Sequence, residues 1–193
     1  GRYHDGVDPW LPFGYNELFA GSGQCVQCHG SDPEDIASVT LKGEDVNVVD
    51  SWRSTMMANS AKDPFWRAKV SHEIAVNPDL SAEIEDKCTA CHAPLGHFNA
   101  HHIGQDNYSI AEMTNDSLGL DGVSCLACHQ QSPVGLGDEF SGSLNFDTTA
   151  VAYGQYESPL ASPMVQFAQY TPVHGPHIED AGICAGCHTL ITS

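Results

Sequence analysis

Cys25-Val26-Gln27-Cys28-His29 is the stretch from which the rest of the chain can be read, because its spacing recurs three more times. Cys88-Thr89-Ala90-Cys91-His92, Cys125-Leu126-Ala127-Cys128-His129 and Cys184-Ala185-Gly186-Cys187-His188 complete the set, which uses all eight cysteines. Two thiols three residues apart sit on one turn and can reach the two vinyl groups along one porphyrin edge. The next residue then lies under the ring, where its imidazole can ligate iron. Zinc ribbons also use paired Cys-x-x-Cys motifs, but zinc does not require a histidine after every second cysteine. A redox Cys-x-x-Cys is normally single and sits beside a strand-helix-strand pattern, which is not read in this sequence. A disulfide framework has no reason to place every cysteine in one five-residue pattern. The expectation is four covalently attached haems c, held by Cys25 and Cys28, Cys88 and Cys91, Cys125 and Cys128, and Cys184 and Cys187. Their proximal ligands are His29, His92, His129 and His188.

The composition agrees with that reading. A length of 193 residues suits a single domain spanning 1–193. Apolar residues make up 41%, below the roughly 45–50% usual for globular proteins. The 18 glycines and 11 prolines break up long elements. Side chains alone would make a loose core, and four porphyrins would add the missing apolar mass. The expected fold is mostly irregular loop with a few short α-helices and little β, the haems forming the core.

A formal charge of −18 argues against nucleic acid and against an anionic membrane surface. No stretch approaches the ~20 apolar residues that span a bilayer, so no membrane span is expected. The chain opens Gly1-Arg2-Tyr3-His4, and any secretory leader is expected to have been removed already.

Four irons need four distal ligands, and seven further histidines are available: His4, His72, His97, His101, His102, His174 and His177. Met56, Met57, Met113 and Met164 are the other candidates, although the adjacent Met56-Met57 reads as helix packing. Bis-histidine ligation is favoured throughout. A six-coordinate iron has no site for substrate, so it exchanges electrons only, and without a thioether ligand its potential is low. His72 lies on a predicted helix, where the bland alternative is an exposed side chain. His174 and His177 precede the last motif, and at least one is expected to ligate. His101 and His102 are adjacent, so one is expected as a ligand and the other as a ligand to a second haem. His97 is the expected bystander. His4 stands at the start of an N-terminal arm, residues 1–20, that is free to dock on a neighbouring subunit and complete its terminal haem; ligation within its own chain, or plain exposure, is the alternative.

Local signals are strongest between 50 and 88. Asp50 is expected to cap a helix through Ser60. Asp63-Pro64 opens a second, which carries Phe65, Trp66, Val70 and Ile74 and ends near Asn77-Pro78. A third runs from Ser81, with Glu83 and Glu85 in its first turn, into Cys88. Residues 130–182 read as loops and turns rather than sheet. Tyr153, Tyr156, Phe167 and Tyr170 are expected against porphyrin faces, with ordinary loop packing as the alternative.

The stretch Trp52-Arg53-Ser54-Thr55-Met56-Met57-Ala58-Asn59-Ser60-Ala61-Lys62-Asp63-Pro64-Phe65-Trp66 resembles a block of the secreted multihaem c-type cytochromes of metal-reducing bacteria. Asp121-Gly122-Val123-Ser124-Cys125 and Cys187-His188-Thr189-Leu190 do so as well. Four motifs in a short chain opening Tyr3-His4-Asp5-Gly6-Val7-Asp8-Pro9-Trp10 resemble the tetrahaem extracellular filament, or nanowire, members of that group. The resemblance implies an exported electron-transport protein at the cell surface or outside the cell. It also implies head-to-tail self-association, redox partner cytochromes and extracellular electron acceptors, and no catalytic residues. Twenty-four residues precede the first motif and five follow the last. A haem near each end of the molecule would suit a heterologous, open-ended assembly. A soluble periplasmic tetrahaem oxidoreductase and a monomeric electron shuttle are the alternatives.

Overall fold

The computed structural model describes residues 11–32 and 38–191. Short helices joined by loops dominate, with one small sheet. The helices are α1 (Gly23–His29), α2 (Val48–Arg53), α3 (Pro64–Val76), α4 (Ser81–His92), α5 (Pro94–His102), α6 (Ile110–Asn115), α7 (Cys125–His129), α8 (Ala161–Ala168) and α9 (Gly182–His188).

The predicted helices at 63 and 81 form where local chemistry places them. Asp63 accepts the Phe65 N–H at 2.9 Å and Pro64 occupies the first helical position, each suited to a helix start. α3 stops at Asn77, just before Pro78, whose ring disfavours helical backbone in the preceding residue. α4 runs on past Cys88 through the whole second motif, and Pro94 then opens α5. The expected helix from Asp50 to Ser60 is corrected. Its cap is Asn47, whose Oδ1 accepts the Asp50 N–H at 2.7 Å, and the helix ends at Arg53. Beyond it, the Asn59 amide donates to the carbonyls of Arg53 (3.1 Å) and Thr55 (2.9 Å), and the Thr55 hydroxyl accepts from Ala58 N at 3.2 Å. These side-chain bonds replace helical ones and fold residues 54–62 into turns. Met56 and Met57 consequently sit exposed on a turn rather than packed on a helix.

The segment 130–182 also departs from expectation. Strands β1 (Val151–Gly154) and β2 (Thr171–His174) pair in parallel, with Val151 opposite Thr171 and Gly154 opposite His174. α8 lies in the connection between them, as parallel pairing requires a crossover. The strands are four residues each, too short for alternation to stand out among the Gly, Ser and Pro around them.

Side chains form two buried clusters. One gathers Leu18, Phe19 and Ala20 with Leu95, Leu118, Leu126, Ala127, Ala152 and Tyr170. Phe146 bridges its rim, meeting Phe19 edge-on at 5.0 Å and Phe98 at 4.9 Å. The second gathers Ala61, Trp66, Val70, Ala93, Ala100, Tyr108 and Met113. The described part of the expected N-terminal arm therefore packs inward: Leu11 and Leu18–Ala20 are buried in their own chain. Residues 1–10, His4 among them, lie outside the described residues.

Candidate functional site

Each Cys-x-x-Cys-His motif closes a helix. His29, His92, His129 and His188 are the last residues of α1, α4, α7 and α9. On a helix, residues three apart share a face, so both cysteines of a motif point to the same side. The imidazole follows on the last turn, where the helix dipole favours a positive ligand environment. None of the eight thiols is in a disulfide.

Two of the four histidines have their rings fixed by backbone carbonyls. His92 Nδ1 lies 3.2 Å from the carbonyl of Ser60, and His129 Nδ1 lies 2.6 Å from that of Tyr153. A carbonyl only accepts, so Nδ1 carries the proton and Nε2 keeps its lone pair, the arrangement that suits a metal-ligating histidine. His92 is also stacked flat on Trp66, with ring centroids 4.3 Å apart, and the Ser60 hydroxyl donates to the His92 carbonyl at 2.8 Å. Burial holds the His92 imidazole below the usual histidine range. The block 52–66 thus closes over the second motif.

That block also touches the third motif's approach. Trp52 Nε1 donates to the Val123 carbonyl at 2.8 Å, and Val123 N donates to that of Met57 at 3.0 Å. Gly122 makes this fit possible. Its φ is +68°, and a Cβ there would lie 2.8 Å from the carbonyl oxygens of both Met57 and Ala58. Next to it, buried Asp121 accepts the Ser22 N–H at 2.9 Å and the Ser22 hydroxyl at 2.7 Å. Ser22 precedes α1, so one carboxylate ties the entrances of the first and third motifs together.

The motifs meet through their own thiols. Cys25 lies beside Cys125, and Cys91 beside Cys187. The neighbouring thiol lowers Cys25, and likewise Cys91, while Cys125 and Cys187 are pushed up. Burial raises Cys128 to about 11, with neighbouring Cys184 adding to the effect. Burial lowers His29, and the nearby His129 lowers it further.

The distal candidates are dispersed. His72 is exposed on α3, with Nδ1 3.7 Å from Glu73. His102 is exposed at the end of α5, and His174 is exposed at the end of β2. His177 is buried; its Nε2 lies 2.9 Å from the Gln131 carbonyl, and the Tyr153 ring meets it edge-on at 4.7 Å. Tyr170 bonds Gln130 Oε1 at 3.0 Å inside the first cluster, whereas Tyr156 and Phe167 are exposed.

His101 belongs to a group that the sequence reading did not assemble. Its Nε2 is 2.9 Å from Asp86 Oδ1, and buried His97 places Nδ1 3.5 Å from the same oxygen. The ligand atoms of the three lie within 4.8 Å of one another. The available signal was the spacing of His97 and His101, four residues apart and therefore on one helix face. His97 Nδ1 is also 3.2 Å from the Thr89 hydroxyl, and burial drives this imidazole down to about 4.

An open cavity of about 610 Å³ is lined by Phe98, Phe140, Gly142, Ser143, Leu144 and neighbouring residues, within the roughly 300–1,000 Å³ of small-molecule sites. It borders the second and fourth motifs. A Cβ on Gly142 would lie 3.5 Å from Cys91 Sγ, and Gly142 N donates to the Gly186 carbonyl at 2.7 Å. The donor set fits a c-type haem: two thiols and an imidazole per helical turn, thiols outside disulfides, and Nδ1 already committed at His92 and His129.

Comparisons with protein-family models, with curated proteins and with solved structures find no match. The functional reading therefore rests on the chain itself.

Proposed function

We propose that this chain is an electron carrier that binds four c-type haems, exported to the cell surface or beyond, and the subunit of a head-to-tail cytochrome filament. The observation that carries the reading is the placement of all four Cys-x-x-Cys-His motifs at helix ends, with the His92 and His129 rings turned by carbonyls so that Nε2 is free. Cys25 and Cys28, Cys88 and Cys91, Cys125 and Cys128, and Cys184 and Cys187 would hold the four porphyrins as thioethers. A haem iron so held supplies one-electron chemistry between its ferrous and ferric states.

The chain's own residues do the rest. The Ser60 and Tyr153 carbonyls hold the Nδ1 protons of His92 and His129, fixing each ring's orientation. Trp66 covers one face of His92 and keeps water from it. The four distal ligands would be drawn from His72, His101, His102, His174 and His177, and from His4 supplied to a neighbouring subunit. No helix among the described residues is long and apolar enough to cross a membrane. Filament formation and the extracellular setting rest on the resemblance of 52–66, 121–125 and 187–190.

The experiment is the mass of the denatured, purified protein, followed by electron paramagnetic resonance. Four haems remaining attached after denaturation, all low-spin in the oxidised state, are expected. A mass matching the bare polypeptide ends the reading. Electron microscopy of the same preparation decides between filament and monomer.

A further inference from the structure

We infer that Asp86, His97 and His101 form a binding site for one divalent metal ion of the zinc class, separate from the haem irons. The inference stands apart from the four-haem reading, since none of the three belongs to a Cys-x-x-Cys-His motif. The turn at Ala93-Pro94 folds α5 back beside α4 and brings the carboxylate of one helix to the imidazoles of the other. His97 and His101 are four residues apart on α5, so successive turns carry them on one face. By that spacing a helix offers two imidazoles to one zinc, with a third ligand from elsewhere in the chain.

The distances suit such an ion. His101 Nε2 lies 2.9 Å from Asp86 Oδ1, His97 Nδ1 lies 3.5 Å from the same oxygen, and the three ligand atoms all fall within 4.8 Å of one another. Ligands on a tetrahedral zinc at ~2.0–2.2 Å stand about 3.3–3.6 Å apart, so a small adjustment of the two rings completes the set. The ring centroids are already 4.5 Å apart.

Hydrogen bonds alone serve this arrangement poorly. A carboxylate oxygen accepts at about two positions, and Asp86 Oδ1 already takes the Tyr108 N–H at 2.8 Å and faces His101. His97 Nδ1 is left with the Thr89 hydroxyl at 3.2 Å. Thr89 has one proton, which the carbonyls of Asp86 (2.8 Å) and Tyr108 (3.1 Å) both attract. One divalent ion engages both imidazoles and the carboxylate at once. His97 Nδ1 and His101 Nε2 then present lone pairs and carry their protons on the opposite ring nitrogens. The Tyr108 N–H steadies the carboxylate from a third segment, as the outer partners of metal ligands do.

The donor set selects the ion. Two imidazoles and one carboxylate suit zinc and its neighbours in the divalent series, whereas calcium and magnesium take oxygen ligands. His97 is buried and His101 is exposed, so the ion enters from the His101 side and water takes the remaining position. Held there, it ties α5 to α4, the helix that carries the second motif; Asp86 precedes Cys88 by two residues. It also occupies His101, which leaves His72, His102, His174, His177 and His4 for the irons.

The test is zinc binding by the full purified chain, treated with a chelator and then titrated calorimetrically with zinc sulfate. One zinc per chain at micromolar affinity is expected, and the thermal midpoint should rise as the ion is added. Asp86→Asn, which keeps an acceptor for the Tyr108 N–H, and His101→Ala, at an exposed position, should each weaken binding roughly tenfold or more. Excess calcium should not displace the zinc. No binding, binding that survives both substitutions, or displacement by calcium would overturn the site. In the haem-loaded protein, His101→Ala is expected to leave every iron low-spin. A new high-spin iron would assign His101 to a haem and overturn the inference. Zinc bound through these residues by a chain that carries no haem would leave the site standing and end the electron-carrier reading alone.

Discussion

The ring of Trp66 lies flat on that of His92, their centroids 4.3 Å apart and their planes 7° from parallel. This contact joins the block that resembles secreted multihaem cytochromes to the second Cys-x-x-Cys-His. It also explains why Trp66 sits where it does: the third residue of α3 is carried by the Asp63 cap over the end of α4.

Trp66→Ala removes that cover and a buried aromatic at once. The expected cost is ~3–5 kcal/mol of stability, read as a fall in thermal midpoint. The potential or spin state of one haem should also change. Trp66→Phe keeps an aromatic face over His92 and should retain most of both. Equal losses in the two variants would mean that Trp66 acts by volume alone.

Stability should fall in acid through His97. Burial lowers its pKa from 6.5 in the unfolded chain to about 4. The native state thus binds fewer protons than the unfolded state between those values. The stabilisation is complete above about pH 6.5 and is lost as pH falls through about 4. Its magnitude is at most about 3 kcal/mol, from ~1.36 kcal/mol per pH unit. Urea midpoints between pH 7 and 4 should show this slope, and His97→Gln should flatten it while losing stability at pH 7.

Gly142→Ala should loosen the junction of α4 and α9. The position has φ +83°, and the added methyl would press on Ala90. A cost of roughly 1–3 kcal/mol is expected from the backbone alone. Hydrogen exchange should rise at the Gly142 N–H and the helix ends it ties together. Unchanged exchange there would show that the loop is not the tie.

His72→Ala is expected to leave one iron high-spin or with a substitute ligand. An unaltered spectrum would remove His72 from the distal set. His4→Ala in the full chain tests ligation between subunits: three normal haems and no filaments are expected, and normal filaments with four unchanged haems would end that idea.

What the sequence determined by itself was the repeated motif and the local starts and stops. Cys-x-x-Cys-His is legible because both thiols and the imidazole lie within one turn, where spacing alone sets the geometry. Asp63-Pro64 and Asn77-Pro78 are legible because caps and proline act on their immediate neighbours. The end of α2 was missed because the Asn59 amide bonds carbonyls four and six residues back, and propensity does not register such competition. The parallel pairing of β1 and β2 was missed because it joins segments twenty residues apart across α8, and each strand is only four residues long. The Asp86–His97–His101 group spans α4 and α5, and only the turn at Ala93-Pro94 brings the carboxylate to the imidazoles. The adjacency of the first motif to the third and of the fourth to the second was decided by tertiary structure alone. It depends on pairings such as Ser22 with Asp121, 99 residues apart, and such contacts are chosen by burial across the whole chain, not by the residues beside them.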